Sequence, residues 1–170
     1  IHMLMALVIL TLMVYLIFEL RERSKEKNVT FDKRLSQFLK IAIVLSLFQI
    51  ILGTQVRQLI DEIALSFNHG QRNLWIENLM EGRIFKIHRS FAISLVLTNA
   101  ILFFINYKLK FRYQLVNFMC LVVLFEVLSG IILTYFDMPA LMQPIHLIAA
   151  SLLLLLQIAL YFQLRQSKSN

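Results

Sequence analysis

Residues 138–164 read MPALMQPIHLIAASLLLLLQIALYFQL, 27 positions from Met138 to Leu164 without one Asp, Glu, Lys or Arg. A helix that crosses a bilayer needs about 20 predominantly apolar residues, and a soluble core helix needs no such run. Just upstream, the 24 residues between Arg112 and Asp137 carry one charge, Glu126. Over all 170 residues 59% are hydrophobic and 16% charged, and the mean hydropathy is +0.72. Soluble domains run at roughly 45–50% apolar and about 25% charged. A soluble globular enzyme, a disordered chain and a disulfide scaffold are excluded. The composition is that of an integral membrane protein. Its single cysteine, Cys120, lies in an apolar run, which leaves no intrachain disulfide and no cysteine-based metal site. The chain opens directly in an apolar segment without the basic n-region of a signal peptide.

Working outward, five apolar segments emerge: A from Ile1 to Phe18, B from Phe38 to Val56, C from Ser90 to Tyr107, D from Tyr113 to Phe136, and E from Met138 to Phe162. No strand-like alternation accompanies them. Only helices, which satisfy their own backbone, suit such lengths in lipid. The expected fold is all-α, a polytopic membrane protein: a four-helix transmembrane bundle, B to E, plus one extra N-terminal transmembrane helix. A charged loop (Glu19 to Gln37), a long polar loop (Arg57 to Arg89), a basic turn (Lys108 to Arg112) and a tight turn around Asp137 to Pro139 connect them.

The cations orient this bundle. Arg21, Arg23, Lys25, Lys27, Lys33, Arg34, Lys40, Lys108, Lys110, Arg112, Arg165 and Lys168 fall on one side; Arg57, Arg72, Arg83, Lys86 and Arg89 fall on the other. The richer side is cytoplasmic by the positive-inside rule, so segment A starts outside and the C-terminus ends inside. The net charge of +7 is therefore a topology signal, and no nucleic-acid partner is implied. Tyr107, Tyr113 and Tyr135 lie near segment ends, as interfacial aromatics do.

A recurrence runs through the segments. Ile1-His2-Met3-Leu4-Met5-Ala6, Ile87-His88-Arg89-Ser90-Phe91-Ala92 and Ile145-His146-Leu147-Ile148-Ala149-Ala150 share I-H-x-x-x-A, each at the outer end of an odd segment. The even segments share a polar residue four before a glycine: Gln49 and Gly53 in B, Glu126 and Gly130 in D. Alternating helix types of this kind point to pseudo-symmetric packing. Polar groups inside a membrane are expensive and tend to mark sites. A lone histidine near a helix end is usually a hydrogen-bonded residue; three at equivalent depth favour ligation. Neutral imidazole is a good axial ligand for haem iron, and two such helices could place imidazoles on opposite faces of one porphyrin. No Glu-x-x-His or His-x-x-x-His pattern offers a compact zinc or di-iron site. The alanines and glycines supply close-approach positions, a role that plain helix packing explains equally well.

Other polar residues of the outer half are candidates. Arg57 follows Gln49, Gly53 and Gln55, and Arg89 adjoins His88; a guanidinium there is either a partner for haem propionates or an interfacial anchor. Gln143, one turn before His146, is placed to bond a propionate or to orient the ring. Glu126 is a hydrogen-bonding group across the bundle or a proton-handling group, and its equivalence to Gln49 favours the structural role. His69, beside Gly70 in the polar loop, reads as solvated.

These residues carry a family resemblance. Gln49-x-x-Leu52-Gly53-Thr54-Gln55-Val56-Arg57, then Asp61-Glu62, then Phe85-Lys86-Ile87-His88-Arg89-Ser90, resembles the C-terminal half of heme A synthase. So do Glu126-x-x-x-Gly130, Pro139, Gln143 and His146-Leu147. The likeness covers nearly the whole chain from Phe38 onward. It implies eight transmembrane helices in two similar halves, each with a pair of haem-facing histidines. On that reading residues 1–18 are the last helix of an N-terminal half, 19–37 a cytoplasmic linker, 38–164 the C-terminal haem-binding half, and 165–170 a cytoplasmic tail. His88 and His146 match the histidine pair of this half, and His2 the second haem site of the other, whose partner helix would lie upstream of residue 1.

The resemblance further implies oxidation of the C8 methyl of heme O to a formyl group, with this half holding a bis-histidine haem b that relays electrons. The substrate heme O is bound mainly by the other half, where a glutamate precedes the first histidine by three residues. Phe85 stands at that place before His88, so the catalytic carboxylate is not carried here and this piece alone is expected to be inactive. Implied partners are membrane lipid, haem, heme O synthase and the terminal-oxidase assembly machinery; the implied location is a bacterial-type inner membrane. The rival reading is a membrane cytochrome b that only transfers electrons.

Overall fold

The computed structural model describes residues 5, 8, 9, 11–13, 15, 16, 32–66, 72–110, 113–136 and 138–169. Five complete helices are described: α1 (Lys33–Ser66), α2 (Arg72–Glu81), α3 (Arg83–Lys108), α4 (Gln114–Tyr135) and α5 (Met142–Ser169). α1, α3, α4 and α5 contain the apolar segments B to E, and each is long and apolar enough to cross a membrane. No strand occurs among the described residues. The fold is the all-α polytopic one expected. The described residues of segment A are helical as well, and Tyr15 lies 5.4 Å, ring centre to ring centre, from Phe162 of α5.

The four long helices form a ring. α1 packs against α3 and α5, and α4 packs against α3 and α5. Successive helices run in opposite directions, which stacks the core in layers. At the end of the bundle holding Lys33, Lys108 and Arg165, an apolar cluster joins Leu35, Leu39, Leu102, Tyr113, Met119, Leu153 and Leu160. At the other end Val56, Leu79 and Met138 form a separate cluster. The surface inverts the soluble pattern. Ile93, Leu97, Ile101 and Phe104 face outward at helical spacing on α3, as do Leu121, Leu124, Leu128 and Ile131 on α4. Ser46, Thr98, Asn99, Asn106, Ser129 and Gln157 are buried instead. Lipid rewards apolar side chains outside, and polar ones find partners between helices.

Helix ends depart from the apolar boundaries where polar chemistry extends them. α1 begins at Lys33, five residues before Phe38, because Asp32 caps it: its Oδ1 accepts from Leu35 N at 2.7 Å. It runs on to Ser66, ten residues past Val56. At 1.5 Å per residue its 34 residues span about 50 Å, well beyond a hydrocarbon core of about 30 Å. The projecting part is solubilised by i,i+4 pairs, Arg57 with Asp61 and Gln58 with Glu62. The polar loop expected between Arg57 and Arg89 is therefore largely helical. It contains α2, whose Trp75 and Leu79 are buried, with Leu79 in the cluster at the end of the bundle away from Lys33 and Arg165.

The turn between α3 and α4 is stapled by one side chain. Asn106, fully buried, accepts from Tyr113 N at 3.0 Å and donates to Tyr113 O at 3.0 Å and to Asn117 Oδ1 at 3.2 Å. Tyr113 is thus buried in the core, not interfacial, whereas Tyr107 and Tyr135 are exposed as expected. Lys110, in the same turn, takes the left-handed conformation at φ 57°.

Candidate functional site

His88 lies in the second turn of α3 and His146 in the second turn of α5. Both are half-buried, on two helices that lie diagonally across the ring, since each packs against α1 and α4. Each is seated on a glycine of the preceding long helix. A Cβ on Gly53 of α1 would lie 3.6 Å from His88 Cε1, and one on Gly130 of α4 would lie 3.7 Å from His146 Cε1. The residue four before each glycine contacts the same imidazole. Gln49 Nε2 is 3.2 Å from His88 Nε2, and Glu126 Oε2 is 3.4 Å from His146 Nδ1. The repeat of polar residue, glycine and histidine is thus a spatial motif built twice.

Gln49 Nε2, a donor, faces His88 Nε2. On the other side Ser129 Oγ lies 2.7 Å from His146 Nδ1 and 3.0 Å from Glu126 O, with one proton to give. Each imidazole is thus held at one ring nitrogen by polar side chains of the neighbouring helix, His88 at Nε2 by Gln49 and His146 at Nδ1 by Ser129 and Glu126. Outer partners of this kind orient metal-ligating histidines. His88 Nδ1, Gln49 Oε1 and Glu126 Oε1 are buried without a partner.

The structure thus brings together Gln49, His88, Glu126 and His146. Arg57 is elsewhere: its side chain is 54% exposed and pairs with Asp61 at 3.0 Å. Arg89 is exposed beside His88, and Gln143 is half-buried one turn from His146. His2 lies outside the described residues. Ser129 escaped the sequence reading because Leu52 holds the equivalent place before Gly53. The hydroxyl between Glu126 and Gly130 was the signal: a polar residue on the site face where the repeat has an apolar one.

The family model for COX15-CtaA, described as cytochrome oxidase assembly protein, matches residues 1–158. The chain belongs to the COX15-CtaA family. No curated protein and no solved structure gives a match. The match includes every residue of the paired motif and extends through segment A. Membership of COX15-CtaA, the heme A synthase family, agrees with the resemblance carried by Gln49 to Arg57 and Phe85 to Ser90. A COX15-CtaA chain has a role in cytochrome oxidase assembly, and this one is a multi-pass membrane protein.

Proposed function

We propose that His88 and His146 are the axial ligands of one b-type haem in the outer half of the bundle, residues 38–164. In this reading the two histidines would hold a haem that supplies an electron-transfer group for the oxidation of the C8 methyl of heme O to a formyl group, which gives heme A for a terminal oxidase. The observation that carries the reading is the matched setting of two histidines, each seated on a glycine and each held at one ring nitrogen by a polar side chain of the neighbouring helix. The residues fit the group: an axial nitrogen on each side, glycines beside both rings, and apolar helix walls. When bound, the haem supplies a one-electron iron couple.

The chain's own residues do the rest. Ser129 and Glu126 hold the ring of His146 at Nδ1, and Gln49 holds that of His88 at Nε2. Arg89 and Gln143 are partners for propionates at the outer end, and Arg57 joins them by releasing Asp61. Phe85 stands where the resemblance places a catalytic glutamate, which assigns methyl oxidation to the other half of the enzyme, the site of His2. The gathering of Lys33, Arg34, Lys40, Lys108, Lys110 and Arg165 at one end supports a cytoplasmic C-terminus in a bacterial-type inner membrane. Partners in this reading are heme O synthase and the oxidase assembly machinery.

The test is the dithionite-reduced-minus-oxidised absorbance spectrum of the purified protein supplied with haemin. A six-coordinate low-spin spectrum, lost in both His88→Ala and His146→Ala, is expected. A Soret band that survives either substitution unchanged sinks the assignment.

A further inference from the structure

Eleven residues after each histidine stands a second amide, Asn99 after His88 and Gln157 after His146. Eleven residues make three helical turns, so each amide lies on the same face as its histidine, about 16 Å further inward. Both are buried, at 2% and 0% exposure. Leu95 and Leu102, which flank Asn99, share one apolar cluster with Leu153 and Leu160, which flank Gln157. Two amides thus enter a single hydrophobic layer from opposite helices of the ring.

Each amide is oriented by a bond that leaves its other end unused. Ser46 Oγ of α1 donates to Gln157 Oε1 at 2.8 Å, so Gln157 Nε2, a donor, remains without a partner. Asn99 Nδ2 donates to Leu95 O at 2.9 Å, so Asn99 Oδ1, an acceptor, remains without one. A buried amide group left unpaired costs on the order of 1–3 kcal/mol. The two orphans are complementary, one giving and one taking a proton. A water molecule offers both an acceptor and a donor, and buried polar groups without a protein partner are commonly satisfied by one.

We propose that Asn99 and Gln157 form a buried water site in the inner half of the bundle. The water accepts from Gln157 Nε2 and donates to Asn99 Oδ1, and the Ser46 hydroxyl holds Gln157 in the receptive orientation. The site is distinct from the histidine pair, and nothing in it depends on haem.

Two measurements test it. A structure of the full chain in lipid nanodiscs, at a resolution that shows ordered solvent, is expected to place water density within hydrogen-bond distance of both Gln157 Nε2 and Asn99 Oδ1. Direct amide-to-amide bonding, or an empty gap, overturns the proposal. Melting temperatures of Asn99→Leu, Gln157→Leu and the double variant provide the second test. Each single variant is expected to melt several degrees lower, since it strands the other amide. The double variant is expected to melt no lower than either single one, since it leaves no orphan. Additive losses overturn the shared site. Should Asn99→Leu fail to fold, Ser46→Ala serves in its place: it frees the Gln157 amide to turn, and the water density is expected to weaken. Unchanged density in Ser46→Ala overturns the orienting role of Ser46.

Discussion

Gly53 lies against the His88 ring, close enough that a Cβ there would meet Cε1 at 3.6 Å, and Gly130 repeats the arrangement with His146 at 3.7 Å. These distances are ordinary van der Waals contact. The glycines give each imidazole a flat backbone to rest on while leaving space for one more methyl group.

That spacing separates two reasons for a glycine. In the haem-free protein Gly53→Ala and Gly130→Ala are expected to be neutral or stabilising by up to about 1 kcal/mol, since alanine favours the helix and nothing is displaced. Haem titration of the same variants is expected to show weaker binding, because the added methyl takes space beside a histidine proposed to ligate the haem. Unchanged haem affinity in both would confine the glycines to helix packing.

Ser129 and Glu126 both contact His146 Nδ1, at 2.7 and 3.4 Å. Ser129→Ala alone is expected to cost about 1 kcal/mol, since Glu126 remains as a partner. Combined with Glu126→Leu it leaves Nδ1 without either partner, and the joint loss should exceed the sum of the singles. With haem bound, loss of such outer partners typically costs 10–100-fold in metal affinity. Redox potentiometry beside the haem titration checks this, and additive behaviour would count against a shared role.

Arg57 and Asp61 form an exposed i,i+4 pair, and such pairs contribute about 0.3–0.5 kcal/mol. Removing either is expected to leave the melting temperature nearly unchanged. The two substitutions should diverge in haem binding. Arg57→Ala is expected to weaken it by removing a propionate partner, and Asp61→Ala to strengthen it by freeing the guanidinium. Identical affinities in both variants would return Arg57 to the role of an interfacial anchor.

Asn106 staples the α3–α4 turn through three hydrogen bonds. Asn106→Leu is expected to lower stability by about 1–3 kcal/mol, because the buried Tyr113 N–H loses the Asn106 acceptor while Tyr113 O keeps Val116 N at 3.2 Å. Protease cleavage between Tyr107 and Tyr113 should accelerate in parallel. A turn that stays resistant to cleavage would show that helix packing alone holds it.

The paired site was legible in the chain because the repeat is strict. Gln49 and Gly53, Glu126 and Gly130, His88 and His146 recur at fixed spacing, and packing α1 on α3 in the manner of α4 on α5 turns that spacing into two equal contacts. Ser129 was not legible, since it interrupts the repeat. Neither was the outer helix α2. Its ten residues are short and mixed in polarity, and they become helical by burying Trp75 and Leu79 against the bundle, a long-range effect that no local pattern carries.

The run from Met138 to Leu164, and its counterparts upstream, determined the membrane setting and the number of long helices in residues 38–164, and the cations between them give the expected sidedness. These depend on hydrophobic length and charge count, which are properties of the chain taken locally. Tertiary structure alone decided which polar atoms are satisfied. It placed Ser129 under His146, turned Tyr113 inward and left Asn99 and Gln157 with complementary unused groups. Hydrogen bonding is directional and short in range, so its outcome depends on helix rotation and axial offset across the ring, which only the packed bundle sets.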